Sequence, residues 1–155
     1  MLSMSIAEVR KNAEESFASG LYCAESVVLA IARAQGLESE LLPKIATAFC
    51  SGMSRSCSTC GALTGALLGI GLALGRSRPD ESVEPAYSAG RKLIKEFEQE
   101  FGDCNCYTLL GGCDMNTPEG QAMFQEERLM EHCLQITGKA AEIAARIIEE
   151  SSGKA

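Results

Sequence analysis

The chain of 155 residues contains no tryptophan, a single histidine and only 5% aromatic residues. It has no C-x-x-C-H segment, which argues against a covalently attached c-type haem. The formal net charge of −7 argues against a nucleic-acid partner, because phosphates are bound by basic surfaces. No motif around His132 identifies it as a catalytic base, so hydrolysis of the Cys–His type is not indicated.

Long apolar runs are also scarce. The longest strongly apolar run, residues 61–75, has 15 residues, whereas a membrane-spanning helix needs ~20. The first residues lead directly into a charged amphipathic segment without the pattern of a secretory signal. We therefore expect no direct membrane insertion and a cytoplasmic location.

Alternating strand patterns of useful length are missing, and helical periodicity takes their place. Amphipathic or apolar segments suggest helices at 4–18, 25–34, 41–49, 60–74, 84–101, from 118 to beyond Cys133, and 140–149, with the role of Gly138 between the last two left open. We predict an all-α fold: a single-domain helical bundle with a glycine-rich apolar central helix. We expect residues 1–155 to form one cysteine-rich domain.

Eight cysteines are the main chemical resource of the chain. Without an export signal, they suggest reduced thiols, a metal site or redox chemistry rather than a structural disulfide framework. Cys57 and Cys60 form a C-x-x-C pair where a loop turns into the apolar helix. Unpaired N–H groups at a helix start favour a thiolate, so we predict a lowered pKa at Cys60.

Several segments together resemble a known family of small proteins that are suspected of redox activity and named for a C…GCAxxG…C…C cysteine pattern. These segments are Tyr22-Cys23-Ala-Glu-Ser-Val-Val, Phe49-Cys-Ser-Gly-Met-Ser-Arg, Cys60-Gly-Ala-Leu-Thr-Gly65, Phe101-Gly with Cys106-Tyr-Thr-Leu-Leu, and Cys133-Leu-Gln-Ile. The resemblance extends over about residues 22–144. It implies a small helical protein of bacteria or archaea with no settled reaction.

The resemblance places the four cysteines of the pattern on Cys23, Cys60, Cys106 and Cys133. The remaining cysteines depart from it and are predicted to be auxiliary: Cys50, Cys57, Cys104 and Cys113. Cys104 and Cys106 are too close in sequence for an easy mutual disulfide. Cys113 follows Gly111-Gly112, which suits either a mobile resolving thiol or a spare cysteine.

Three functions stay open. The preferred one is thiol–disulfide or electron-transfer chemistry, in which Cys60 is the thiolate and Cys23, Cys106 or Cys133 is its disulfide partner; a thiol–disulfide oxidoreductase is one form of it. The alternative is a module that holds an iron–sulfur cluster, or zinc, through the same four cysteines. The second alternative is a structural or transporter-associated protein with inert cysteines. The expected partner is an unidentified redox protein, and a homodimer is left open.

Overall fold

Helices account for all the regular secondary structure in the computed structural model, which describes residues 2–153. The helices are α1 (Ile6–Ala18), α2 (Cys23–Ala34), α3 (Leu41–Ala46), α4 (Cys50–Arg55), α5 (Gly61–Leu74), α6 (Glu84–Phe101), α7 (Cys106–Leu109), α8 (Pro118–Glu126) and α9 (Leu129–Ser152), and a 3₁₀ turn (Thr47–Phe49) joins α3 to α4. The prediction of an all-α fold is confirmed.

Local sequence signals explain where several helices begin and end. The Ser5 side chain accepts a hydrogen bond from the Glu8 N–H, and the Glu8 carboxylate accepts one from the Ser5 N–H, which forms a capping box before α1. The hydroxyl of Thr117 caps α8 by accepting a hydrogen bond from the Gly120 N–H. Gly102 ends α6 with a left-handed conformation (φ 87°), which costs glycine little.

The glycine-rich helix α5 lies at the centre and packs against α2, α6 and α9. A Cβ atom on Gly65 would lie 2.5 Å from the carbonyl oxygen of Ala24, and one on Gly69 would lie 2.6 Å from the Ile31 side chain. These two glycines therefore let α2 approach the backbone of α5. Gly71 is different, because nothing lies within 4 Å of the corresponding position.

The C-terminal helices divide at a different residue from the one considered above. The chain breaks at Arg128 (φ 53°), and α9 then continues through Gly138 without interruption. A Cβ atom on Gly138 would lie 2.2 Å from the Glu14 carboxylate, so this glycine serves close packing of α9 against α1.

The segment that was expected to be a loop between Phe49 and Cys60 contains α4, whose last five residues form a left-handed turn and not a right-handed helix. Residues 51–55 all have φ between 57° and 65°, and Gly52 is the one glycine among them. Left-handed helical conformation costs an L-residue roughly 1–2 kcal/mol, and such residues normally occur singly. Five in succession indicate a segment that the surrounding structure holds in place.

Across the described residues, no helix is both long enough and apolar enough to cross a membrane.

Candidate functional site

A cavity of about 100 Å³ brings together the four cysteines of the pattern, Cys23, Cys60, Cys106 and Cys133. They come from four different helices. Cys23 and Cys106 are the first residues of α2 and α7, Cys60 is the N-cap of α5, and Cys133 lies in the second turn of α9. The rest of the lining is largely apolar and includes Phe17, Leu110, Phe124 and Ile136.

Backbone pairing between the two cysteine-rich loops brings Cys60 and Cys106 to this cavity. The Cys60 N–H donates to the Cys104 carbonyl, and the Cys106 N–H donates to the Ser58 carbonyl, each at 2.8 Å. These bonds flank an isolated antiparallel bridge between Thr59 and Asn105. The Asn105 side chain adds a third link, donating to the Cys57 carbonyl at 2.8 Å. Two loops that are far apart in sequence are thereby fixed against each other.

Cys23 has the environment of a thiolate. The interaction with the Cys50 thiol, and then hydrogen bonds from the backbone N–H groups of Ser51 and of α2 itself, lower its pKa below the ordinary value although burial opposes the shift. The Ser51 donor belongs to the left-handed turn. A Cβ atom on Gly61 would lie 2.4 Å from the Cys23 sulfur, so glycine at this position leaves the space that the sulfur occupies.

The prediction that Cys60 carries the lowered pKa is wrong. Cys60 does begin the helix as expected, but it is only 8% exposed. Burial raises its pKa well above the ordinary value, and the charge of Cys23 raises it further, while a backbone hydrogen bond from Ala62 opposes the shift only in part. The position at the helix start is thus outweighed by desolvation.

The other two cysteines of the cavity also favour the protonated thiol. Burial, followed by the charge of Cys23, raises the pKa of Cys106 to about 11 and that of Cys133 to about 12. The four cysteines therefore differ in kind: one thiolate faces three thiols. Thiol–disulfide exchange needs this difference, because the thiolate attacks the substrate first and the protonated thiols react only in the later step.

Cys50 and Glu25 belong to the site, although sequence reasoning made Cys50 auxiliary and gave Glu25 no role. Cys50 is buried, and its Sγ lies 3.8 Å from Glu25 Oε1 and 3.6 Å from the Ala46 carbonyl oxygen. The signal for Glu25 was its position at the third residue of α2, where a carboxylate can cap the helix. No sequence pattern joins Cys50 to Cys23.

Cys57, Cys104 and Cys113, like Cys50, lie outside the set of residues that line the cavity. Cys57 (φ 57°) is half-buried, and burial followed by a hydrogen bond to Asp114 raises its pKa. Cys104 is also half-buried, and burial and the charge of Glu98 raise its pKa to about 11. Cys113 is not an exposed, mobile thiol: it is 2% exposed and donates to the Gly120 carbonyl at 3.0 Å.

A shared metal ion does not fit the side chains as they are arranged. Within residues 2–153, no three cysteine, histidine, aspartate or glutamate side chains are placed to hold one ion. The cavity does contain one unsatisfied polar group: the buried hydroxyl of Thr137, one turn after Cys133, has no hydrogen-bond partner in the described structure. A bound water or ligand would supply that partner.

Comparison with known proteins gives one match. A family model described as "Putative redox-active protein (C_GCAxxG_C_C)" matches residues 21–147. In the name of the family, glycine precedes cysteine in the central segment. In this chain cysteine precedes glycine, in the order Cys60-Gly61-Ala62-Leu63-Thr64-Gly65. No curated protein and no solved structure matches the chain.

Proposed function

The chain belongs to this C_GCAxxG_C_C family, and from that membership we propose that it carries out thiol–disulfide exchange with Cys23 as the attacking thiolate. The observation that carries the proposal is the cavity, where one thiolate stands beside three protonated thiols contributed by separate helices. The thiolate is the nucleophile in such exchange, and its neighbours can resolve the mixed disulfide that forms.

The expected substrate is a disulfide of a partner protein or of a small molecule. The Cys23 thiolate and one thiol of this chain become a disulfide, and their two electrons, with one proton from that thiol and one from solvent, reduce the substrate disulfide to two thiols. A dithiol reductant returns the chain to its starting state. Cys23 is half-buried and lines the cavity.

A second candidate is a soft-metal or iron–sulfur site on Cys23, Cys60, Cys106 and Cys133. The presence of four thiols and the unpaired Thr137 hydroxyl at one cavity favours it. Among the described side chains, no three groups are placed to hold one ion, and this weighs against a metal site. Thiolates select iron–sulfur clusters or zinc, which would add electron transfer or a structural link.

One experiment separates these functions from inert cysteines. The protein is purified without oxygen, iron, zinc and sulfide are measured, and free thiols are counted before and after treatment with glutathione disulfide. The proposed function predicts metal-free protein that loses two thiols and regains them with dithiothreitol. Stoichiometric iron and sulfide would support the second candidate. Metal-free protein with a constant thiol count would contradict both.

A further inference from the structure

The surroundings of Cys50 suggest a role for this cysteine, which lies outside the four of the family pattern. We propose that Cys50 resolves the mixed disulfide on Cys23, and that the Glu25 carboxylate accepts the proton that Cys50 releases. This inference rests on the proposed thiol–disulfide function and specifies its second step.

Cys50 packs beside Cys23, because Cys23 lies against the small buried cluster that Cys50 forms with Ala24, Val28 and Ala46. The Cys50 thiol is also the first cause of the lowered pKa of Cys23. Gly61 lies next to both members of the pair: its Cβ position is 2.4 Å from the Cys23 sulfur and 3.1 Å from the Cys50 Cα. The two cysteines therefore meet over the first residue of α5.

Glu25 stands on the other side of the Cys50 thiol in a fixed orientation. Its Oε1 accepts from the Tyr22 N–H at 2.9 Å, and its Oε2 accepts from the Thr47 hydroxyl at 2.8 Å. Oε1 also lies 3.8 Å from Cys50 Sγ, within the range of a sulfur hydrogen bond. The Glu25 carboxylate that caps α2 therefore also faces the buried Cys50 thiol.

The single proton of Cys50 consequently has three acceptors near it: the Ala46 carbonyl oxygen, the Glu25 carboxylate and the Cys23 sulfur. Before the reaction it can point to the Cys23 sulfur, where it stabilises the thiolate. Once Cys23 is bonded to substrate sulfur, that negative charge is gone, and the proton turns to the Glu25 carboxylate. A lone pair of the Cys50 sulfur is then free to face the Cys23 sulfur.

The steps balance with a disulfide as oxidant. The Cys23 thiolate attacks the substrate disulfide, forming a mixed disulfide and releasing one substrate thiolate. Cys50 then attacks the Cys23 sulfur as its proton passes to Glu25, which forms the Cys23–Cys50 disulfide and releases the second substrate thiolate. Glu25 returns that proton to solvent or to the leaving sulfur. Two electrons have moved from the two cysteines to the substrate.

Disulfide mapping tests the pairing directly. Wild-type protein is oxidised with glutathione disulfide, quenched with acid and alkylated, and its peptides are identified by mass spectrometry without reduction. We expect a Cys23–Cys50 bond. A bond from Cys23 to Cys60, Cys106 or Cys133 would overturn this inference and leave the proposed function standing. No disulfide and no loss of thiols would overturn both.

Two pairs of variants test the individual roles. Cys50→Ser should trap the Cys23–glutathione mixed disulfide, whereas Cys104→Ser, which alters a cysteine outside the cavity lining, should resolve it as wild type does.

Glu25→Gln should slow glutathione release about tenfold or more and leave the first attack unchanged. Glu8→Gln is the matched control, because Glu8 holds the same capping position in α1. Rapid resolution in Cys50→Ser would refute the role of Cys50, and equal effects in the two glutamine variants would refute that of Glu25.

Discussion

At the scale of single residues, the most direct prediction concerns the reactivity of the Cys23 thiol. Its lowered pKa means that more of it is thiolate at pH 7 than the about 3% of a free cysteine whose pKa is near 8.5. Reaction with iodoacetamide should therefore show one fast-reacting thiol whose rate falls only at a pH below the range in which free cysteines lose their reactivity. Mass spectrometry would identify the modified residue.

The controls for this measurement come from the other cysteines. Cys23→Ser should remove the fast reaction, whereas Cys104→Ser should keep it, because the pKa of Cys104 is raised to about 11. A fast reaction that persists in Cys23→Ser, or that maps to Cys60, would contradict the assignment of the thiolate.

The residues of the cavity were only partly predictable from sequence. The cysteine pattern indicated Cys23, Cys60, Cys106 and Cys133, and the structure places all four on one cavity. The thiolate was assigned to the wrong cysteine because a pKa depends on burial and on donors from other helices. For Cys23, the Cys50 thiol and the Ser51 N–H come from a segment with no sequence signal for its conformation.

At the scale of helices, the glycines of α5 offer a matched comparison. Gly65→Ala should lower the free energy of unfolding by about 2 kcal/mol, because the new methyl group would lie 2.5 Å from the Ala24 carbonyl oxygen of α2. Gly71→Ala should raise it by about 1 kcal/mol, since its site is open and alanine is the better helix former. Urea unfolding would measure both. Equal shifts in the same direction would contradict close packing of α2 on α5.

Helix positions followed from apolar periodicity, but two features of the backbone did not. No glycine or proline marks the boundary between α8 and α9 at Arg128. Gly138, where a break was considered, lies inside α9 and packs against Glu14. The left-handed turn was equally hidden, because four of its five residues are ordinary L-residues that rarely adopt this conformation. Tertiary contacts decided both cases.

At the scale of the whole molecule, the cysteines make stability depend on pH. Unfolded cysteines titrate near pH 8.5. The pKa of Cys133 is raised to about 12, so the unfolded chain binds fewer protons above pH 8.5 and stability falls as the pH rises toward 12. The pKa of Cys23 is lowered, so its contribution is complete above pH 8.5 and is lost as the pH falls through that lowered pKa.

These opposite shifts predict that the cysteine contribution to stability is greatest near pH 8.5. Urea unfolding in the presence of reductant, followed by circular dichroism from pH 6.5 to 10.5, would measure it. Cys133→Ser should flatten the alkaline fall by at most about 1.4 kcal/mol per pH unit, and Cys23→Ser should flatten the rise on the acid side. Wild-type slopes in both variants would be incompatible with the assigned shifts.

The assembly of the site shows why sequence spacing alone could not supply its geometry. The pairing of residues 58–60 with residues 104–106 rests on backbone groups, and any residue type other than proline can provide these. The pattern therefore indicated four cysteines that share one cavity, and the fold determined how they are placed around it.

The turn at residues 51–55 also has a consequence for chirality. Its backbone has the conformation that mirror-image amino acids prefer, so D-methionine in place of Met53, whose side chain is 38% exposed, should fit without the clash that the L-residue tolerates. A chain made by chemical synthesis with this one replacement should gain about 1–2 kcal/mol of stability, whereas D-alanine at Ala30 within α2 should lose a similar amount. The same stereochemical change would thus stabilise the protein beside the thiolate and destabilise it in the neighbouring helix.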